Sequence, residues 1–206
     1  MSTNPATAGP RRIALVLAAA SAAPATPPGV DRDAFARACL ADAYEVVADL
    51  VGVTSGIIGP PNLTELLWPG GLLIEEDSLQ AVVDQLTGDF DELVLVPADV
   101  PDLPGLVLAK LFKVLHRVDL AVAPERHGSG CVALGIALPT PVALADLDID
   151  HAPAARDLGV RIAPGPDWHR MRTPADVNRL DPGLEGWEET RALLSGRALG
   201  VQRTGG

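Results

Sequence analysis

The sequence predicts an α/β fold, with one domain built on a doubly wound, mostly parallel sheet that carries helices on both faces. Two observations support this class. Short apolar runs alternate along the chain with segments of helical spacing. Hydrophobic residues make up 48% of the 206 residues but aromatic residues only 3%. The core must therefore be aliphatic, as in buried parallel strands covered by Ala-rich helices and joined by right-handed crossovers.

Seven segments carry the pattern of buried strands. Residues 12–19 (RIALVLAA) form a continuous apolar run, which is typical of a strand buried on both faces. Residues 92–104 (ELVLVPADVPDLP) are predicted to be a buried strand that delivers Asp99 to the working edge of the sheet. The other predicted strands are residues 52–58, 71–75, 119–123, 131–137 and 160–163.

Helical segments separate these strands. Residues 33–50 place apolar side chains three and four positions apart, which is helical spacing, and Asp31 can cap this helix. Residues 11–197 are expected to form the domain, between a disordered leader (1–10) and a flexible tail (198–206). The other predicted helices are residues 78–88, 106–118, 142–147, 152–159, 173–180 and 184–195, with a short helix or turn at 64–68.

Charge and cysteine usage restrict the partners and the compartment. A formal net charge of -11 argues against nucleic acid and against membranes of anionic lipid, because both require a basic surface. The two cysteines, Cys39 and Cys131, form no C-x-x-C pair and suggest a reducing, cytoplasmic location. The alternative is secretion, because residues 13–23 follow Arg11 and Arg12 and superficially resemble a signal peptide. The first strand of an α/β sheet is the favoured explanation, because the apolar run is short and no stretch reaches the length of a spanning helix.

The carboxyl ends of the predicted strands should carry the functional site, as in other open α/β sheets. Asp99 follows the LVLV run directly, and three prolines nearby restrict the turn. A rigidly held carboxylate is suited to Mg²⁺, which takes oxygen ligands and bridges substrate phosphates. The alternative is that Asp99 or Asp102 only caps the next helix.

A second candidate loop contains Gly128, Ser129 and Gly130. Glycines let the backbone approach a ligand closely, and their N–H groups can surround an anion. A Gly-Ser-Gly hairpin turn explains the same residues equally well.

The loop after the first predicted strand differs from most triphosphate-binding loops. Its residues 21–29 (SAAPATPPG) include one glycine and no basic residue, whereas phosphate sites normally gather Gly, Lys or Arg. The chain also lacks a G-x-S-x-G elbow, a Walker lysine loop and a G-x-G-x-x-G after the first strand. The four histidines show no metal-ligand spacing and are interpreted as surface or loop residues: His116, His127, His151 and His169.

Three short motifs, taken together, resemble the nucleotidyltransferase-like glycosyltransferase-A superfamily, especially the branch of 2-phospholactate and phosphoenolpyruvate guanylyltransferases. The family's A-D-x-P strand end is similar to residues 97–101 (PADVP). Its later G-T-G-T-N segment resembles residues 128–132 (GSGCV), and its T-P-x-D-L helix start resembles residues 173–177 (TPADV). The resemblance spans about residues 12–180 and implies a Rossmann-like fold of the nucleotide-diphospho-sugar transferase type.

This resemblance also implies roles for particular residues. Asp99 would be catalytic and would hold Mg²⁺, and the substrate would be a nucleotide or a phosphorylated metabolite. The residues expected along the nucleotide are Ala18, Ala19, Ala98, Gly128, Ser129 and Gly130.

The chain departs from the family at several of these positions. The basic or Gly-rich first loop is absent, residues 131–132 replace Thr-Asn, and no Phe-Gly-x-x-Ser follows. Arg170 and Arg172 stand where relatives commonly have acidic residues; they are either exposed or a relocated clamp for an anion. Loss of the basic groups that grip a triphosphate would remove several charge-assisted hydrogen bonds.

Three hypotheses therefore remain open. The first is a nucleotidyltransferase or glycosyltransferase-like enzyme with Mg²⁺ at Asp99. The second is an inactive pseudo-enzyme that acts as a dimeric binding or regulatory module. In the third, an apolar cleft binds a small carboxylate or an apolar metabolite without chemistry.

Overall fold

The fold is taken from a computed structural model that describes residues 9–76, 78–141, 147–153 and 158–196. A sheet of seven strands runs through it. The predicted tail, most of the predicted leader, most of the helix expected at 142–147 and half of the helix expected at 152–159 lie outside the described residues. The strands are β1 (Arg12–Leu17), β2 (Val53–Ile58), β3 (Leu72–Ile74), β4 (Glu92–Pro97), β5 (Leu120–Pro124), β6 (Cys131–Ala137) and β7 (Ile162–Pro164).

Four α-helices and three short 3₁₀ segments accompany the sheet in the described part of the chain. The 3₁₀ segments are Ala23–Ala25, Pro61–Leu66 and Pro174–Arg179. The α-helices are α1 (Arg32–Ala48), α2 (Leu79–Leu86), α3 (Gly105–Leu115) and α4 (Glu188–Leu194). Within these ranges no helix is long and apolar enough to cross a membrane.

The strand order is β3-β2-β1-β4-β6-β5-β7. β6 pairs antiparallel with both β4 and β5, and the other pairings between the named strands are parallel. Arg12 of β1 is in register with Val53 of β2 and with Glu92 of β4, so these three strands end together at Leu17, Ile58 and Pro97. The prediction of a doubly wound, mostly parallel α/β sheet is confirmed.

Both faces of the sheet are covered, because side chains alternate along each strand. On one face Ala14 and Val16 of β1 pack in a cluster with α1 and α3. On the other face Ile13 and Leu15 pack in a cluster with α2. Each fully buried aliphatic side chain of this size contributes about 1.5–3 kcal/mol. The apolar runs in the sequence therefore correspond to strands buried on both sides.

Several predicted boundaries move. β4 ends at Pro97, so residues 98–104 form a buried irregular segment rather than a continuation of the strand. The helices predicted at 64–68 and 173–180 are short 3₁₀ segments, and each carries a proline in its first turn. The last helix begins at Glu188, because Gly186 and Trp187 have φ values of 87° and 93° and interrupt it. Asp31 caps α1 as predicted, accepting a hydrogen bond from the Ala34 N–H at 2.8 Å.

A buried carboxylate joins α1 to α4. Asp42 of α1 is fully buried and accepts hydrogen bonds from the backbone N–H groups of Glu189 (3.0 Å) and Thr190 (2.8 Å). These are free N–H groups of the first turn of α4, so Asp42 caps a helix that lies almost 150 positions away in sequence. Burial raises the pKa of Asp42 to about 7, although the hydrogen bonds from Thr190 and Glu189 oppose the rise.

We predict a pH-dependent contribution of Asp42 to stability. Its folded-state pKa lies above its ordinary value, so this stabilisation is complete below pH 4 and is lost as the pH rises through 7. The free energy of unfolding of the wild type should fall by up to about 4 kcal/mol relative to Asp42→Asn over that interval. Urea unfolding at a series of pH values measures the difference, with Asp33→Asn as the control for an exposed carboxylate on α1. A constant difference between wild type and Asp42→Asn would contradict the prediction.

Candidate functional site

The candidate site is centred on Asp99, two residues beyond the end of β4. Its side chain is only 2% exposed, and both carboxylate oxygens accept hydrogen bonds from the guanidinium of Arg170. Arg170 Nε lies 2.7 Å from Oδ1, and Arg170 Nη2 lies 2.9 Å from Oδ2. The backbone is tied at the same place, because Met171 N–H donates to the Asp99 carbonyl at 2.8 Å. This is a bidentate, buried ion pair between residues 71 positions apart.

Arg170 is itself enclosed, with a residue exposure of 1%. Its third nitrogen, Nη1, donates to Asp150 Oδ1 (2.8 Å) and lies within hydrogen-bond distance of the carbonyl oxygens of Ile149 (3.1 Å) and Cys131 (3.3 Å). Both expectations for this arginine are wrong. It is not exposed, and its three nitrogens already face protein oxygens rather than a cleft in which they could clamp an anion.

Arg172 extends the same network toward solvent. Its Nη2 lies 2.7 Å from Asp150 Oδ1 and 3.4 Å from Glu125 Oε2, and its side chain is 35% exposed. Its Nε lies 4.0 Å from Asp99 Oδ2. Three carboxylates thus face two guanidinium groups in an ion cluster, which we define as Asp99, Glu125, Asp150, Arg170 and Arg172.

The two ends of the ion cluster differ in environment. Burial raises the pKa of the Asp99 carboxyl above its ordinary value, while the hydrogen bonds and charge of Arg170 oppose the rise. The pKa of Asp150 is lowered: partial burial opposes this, but the hydrogen bond from Arg172 and the charges of Arg170 and Arg172 outweigh it. The bidentate contact with the Arg170 guanidinium favours the ionised form of the Asp99 carboxyl.

Asp102 and His169 lie next to the ion cluster but have a different task. Asp102 is buried and accepts hydrogen bonds from Trp168 Nε1 (3.1 Å) and from the backbone N–H of Asp181 (3.2 Å). His169 is 5% exposed, and its Nε2 lies 3.1 Å from Asp102 Oδ1 without the alignment of a hydrogen bond. His169 lies in a loop, as one half of its interpretation as a surface or loop histidine expected, but it is buried and not on the surface.

Neither Asp99 nor Asp102 caps the following helix. The N-cap of α3 is Pro104, which makes no side-chain hydrogen bond. Asp99 instead fixes Arg170, and Asp102 fastens the segments that contain Trp168 and Asp181. The capping alternative is therefore excluded for both residues.

The Gly-Ser-Gly loop closes a hairpin between β5 and β6. Glu125 N–H donates to the Gly130 carbonyl at 2.9 Å, and Ser129 Oγ donates to the Asp150 carbonyl at 3.1 Å. A Cβ atom at Gly130 would lie 2.9 Å from the Ile149 carbonyl oxygen and 3.0 Å from Glu125 Oε2. A side chain at Gly128 would likewise meet the Glu125 carboxylate. Close packing explains these glycines, and their contact with a ligand stays a prediction.

A cavity of about 700 Å³ lies at the carboxyl ends of β1, β2 and β3, between α1 and α2. Of the predicted nucleotide contacts, Ala18 and Ala19 line it. Asp99, Ala98, Gly128, Ser129 and Gly130 are not among its lining residues, and Ala98 is buried in the core. Those lining residues are Leu17, Ala18, Ala19, Ser21, Ala36, Leu40, Ile58, Gly59, Pro60, Pro61, Leu63, Glu75, Glu76, Ser78, Leu79 and Val82.

The first loop has a structural explanation. Ala22 and Ala25 are fully buried and pack in a third cluster with Phe35 and Met171. Its small residues therefore make room for the chain around Arg170, because a larger or charged side chain at either position would have to be buried.

The surroundings of Asp99 do not fit a divalent cation while Arg170 is in place. Mg²⁺ requires oxygen ligands with accessible lone pairs. Here both Asp99 oxygens already accept from a guanidinium. Among the described residues, no group of three or more His, Cys, Asp or Glu side chains is arranged to hold a metal ion.

Comparisons with known proteins place these features in a family. A sequence model of guanylyl transferases described as CofC-like matches residues 31–139, which is just over half of the chain. No curated protein sequence matches. The predicted resemblance to guanylyltransferases is confirmed by this match.

Solved structures share the fold at low sequence identity. A candidate nucleotide-diphospho-sugar transferase from Desulfovibrio desulfuricans G20 has a TM-score of 0.63 at 18% identity, over 90% of this chain and 94% of that one. The manganese complex of Rv0371c from Mycobacterium tuberculosis H37Rv has a TM-score of 0.53 at 14% identity, over 91% of this chain and 100% of that one. The bifunctional IspDF of Campylobacter jejuni has a TM-score of 0.54 at 10% identity, over 82% of this chain and 54% of that one.

We predict that the stability of the protein depends strongly on Arg170. The variant Arg170→Met leaves the buried Asp99 carboxylate with only Arg172 Nε, 4.0 Å away, as a cationic partner, which should lower the free energy of unfolding by about 3–5 kcal/mol. The double variant Asp99→Asn/Arg170→Met removes that buried charge and should regain much of the loss. Urea unfolding followed by circular dichroism measures both values.

The matched control is Arg37→Met. It breaks an ion pair with Glu65 in which both side chains are at least 42% exposed, so its effect should stay below about 1 kcal/mol. If Arg170→Met and Arg37→Met have equal effects, the Asp99–Arg170 pair does not support the fold as argued.

Proposed function

Because the chain belongs to the family of CofC-like guanylyl transferases, we propose that it keeps their architecture as a small-molecule-binding protein without metal-dependent transfer at Asp99. The observation that carries this proposal is the pairing of both Asp99 oxygens with the buried guanidinium of Arg170. This is the pseudo-enzyme hypothesis, and its minimum claim is a ligand-binding cleft at the carboxyl edge of the sheet.

The chemistry of nucleotidyl transfer explains why the pairing of Asp99 with Arg170 argues against metal-dependent transfer. A metal ion that bridges phosphate oxygens neutralises the charge that develops during the transfer, and it needs protein oxygens to hold it. Before Asp99 could bind such an ion, Arg170 would have to leave two charge-assisted hydrogen bonds, each contributing about 1.5–3 kcal/mol. The displaced guanidinium would also have to leave the oxygens of Cys131, Ile149 and Asp150.

The phosphate-binding side of the cleft is also unsuited to a triphosphate. No Lys, Arg or His is among the described residues that line the cavity. Two backbone N–H groups of the first loop are already used within the protein, since Ala18 donates to Ile58 (3.1 Å) and Ala20 donates to Leu17 (3.2 Å). The only lysines of the chain, Lys110 and Lys113, are exposed on α3. Triphosphate binding would lack the cations that normally stabilise it.

The second candidate is an active nucleotidyltransferase with Mg²⁺ at Asp99 and the nucleotide along Ala18, Ala19 and residues 128–130. Family membership favours it, as does the manganese complex of the similarly folded Mycobacterium tuberculosis protein. This candidate requires Arg170 to leave Asp99 when metal and nucleotide bind.

A metal titration separates the two candidates. Mn²⁺ added to the wild-type protein and followed by electron paramagnetic resonance should remain free, because Asp99 is paired with Arg170. Arg170→Ala should bind Mn²⁺, since it removes the bidentate partner of the Asp99 carboxylate and one of the two cationic partners of Asp150. Asp99→Asn/Arg170→Ala is the control and should lose that binding. Wild-type Mn²⁺ binding that disappears in Asp99→Asn would overturn the proposal.

Transfer is tested directly by pyrophosphate release. Each of the common nucleoside triphosphates is incubated with Mg²⁺ and phosphorylated hydroxy-acid acceptors, with an active guanylyltransferase assayed in parallel. The wild type should release no pyrophosphate above the buffer blank. Release that requires Asp99 would establish the second candidate.

The dimeric and cytoplasmic parts of the hypothesis remain predictions. Light scattering coupled to size exclusion tests the first, and a dimer would have twice the 21.4 kDa mass of one chain. A mass of one chain over the accessible concentration range would remove the dimer from the hypothesis.

A further inference from the structure

We propose that the 700 Å³ cavity at the ends of β1, β2 and β3 binds an organic cation: an apolar body with one ammonium or guanidinium head beside Glu75 and Glu76. This inference rests on the proposed function, because it names the ligand class of the same cleft. The ligand inferred here is positively charged, whereas a nucleoside triphosphate is negatively charged.

The walls of the cavity determine the body of the ligand. Leu17, Ile58 and Leu63 line it from the sheet and from the 3₁₀ segment after β2, and Leu79 and Val82 line it from α2. A volume of about 700 Å³ lies within the range of small-molecule sites. These aliphatic walls favour an apolar body of several carbon atoms.

A second, smaller cavity continues this apolar surface. It has a volume of about 230 Å³ and shares Leu17 and Leu79 with the first. Leu95 of β4 and Leu134 of β6 also line it. An extended alkyl group that enters the main cavity therefore finds further aliphatic contacts toward the centre of the sheet.

The charged groups determine the head of the ligand. Among the described residues that line the main cavity, Glu75 and Glu76 are the only ionisable ones, and both are exposed at its rim. Among the described residues, neither carboxylate takes part in a hydrogen bond or an ion pair. Two unpaired negative charges beside an apolar cavity attract a cation and repel an anion.

One feature of the cavity, the N-terminal end of α2, favours an anion, but its charge is smaller than that of the two glutamates. Ser78, the N-cap of α2, lines the cavity, so the partial positive charge of that helix end faces it. A helix end carries about half an elementary charge, whereas the two carboxylates carry two full negative charges. The Ser78 hydroxyl already accepts from Ala81 N–H at 3.2 Å. The backbone N–H of Gly59 is not free for an anion either, because it donates to the Ile74 carbonyl at 3.0 Å.

The experiment compares three probes of equal carbon length: hexylammonium, hexanol and hexanoate. Each is titrated into the full chain at low ionic strength, and binding is followed by ligand-observed NMR. Hexylammonium should bind at least about tenfold more tightly than hexanol, and hexanoate should bind most weakly. Tighter binding of hexanoate, or equal binding of hexylammonium and hexanol, would overturn the proposal.

Two variants locate the site. Glu75→Gln/Glu76→Gln should reduce hexylammonium binding to the level of hexanol, whereas Glu185→Gln, at an exposed glutamate outside the cavity lining, should leave it unchanged. Ala36→Leu places a larger side chain in the cavity and should weaken all three probes, with its fold checked by circular dichroism. Hexylammonium binding that survives both changes would place the site elsewhere and overturn the proposal.

The probe titrations and the pyrophosphate assay give results that can be distinguished from each other. Pyrophosphate release by the wild type would refute the proposed function whatever the probes show. Absence of release together with tighter hexanoate binding would refute only the present inference.

Discussion

The buried ion pair between Asp99 and Arg170 is the contact on which the rest of the candidate site depends. It joins the end of β4 to a segment 71 positions later, and Arg170 simultaneously reaches the start of β6 and the turn at residues 149–150. A guanidinium with all three nitrogens engaged can hold several irregular segments in one arrangement. Removal of Arg170 would leave the buried Asp99 carboxylate with only Arg172 Nε, 4.0 Å away, as a cationic partner, which is costly in the interior.

This pair also determines what the carboxyl edge of the sheet can do. The residue that resembles a metal ligand is neutralised internally, and the Ala-rich first loop packs under Met171 instead of forming an anion site. The remaining cavity is apolar with two glutamates at its rim. The family architecture is that of guanylyl transferases, which favours a nucleotide. The charge of the lining residues instead favours a ligand unlike a triphosphate.

Much of the fold and part of the site follow from local patterns. The strand at residues 131–137 was predicted with its observed bounds. A short apolar run that has a glycine-rich loop before it and another loop after it is typical of a buried strand. The placement of Asp99 just beyond β4 followed from the apolar run before it, and the Asp31 cap from a single residue type before a helical pattern. The boundary near residues 98–104 could not be predicted, because these buried residues have no regular period.

The sequence alone therefore establishes the α/β class, the alternation of strands and helices, and the position of Asp99 at the edge of the sheet. Each of these features depends on the hydrophobic period or on residues that are close together in the chain. The partners of Asp99 are a matter of tertiary structure. Arg170 and Arg172 lie 71 and 73 positions after it, and only the folded chain brings them to its carboxylate. From the sequence, Arg170 and Arg172 were interpreted as exposed or as a clamp for an anion, because pairing with carboxylates is decided by distance in space, which a one-dimensional pattern does not contain.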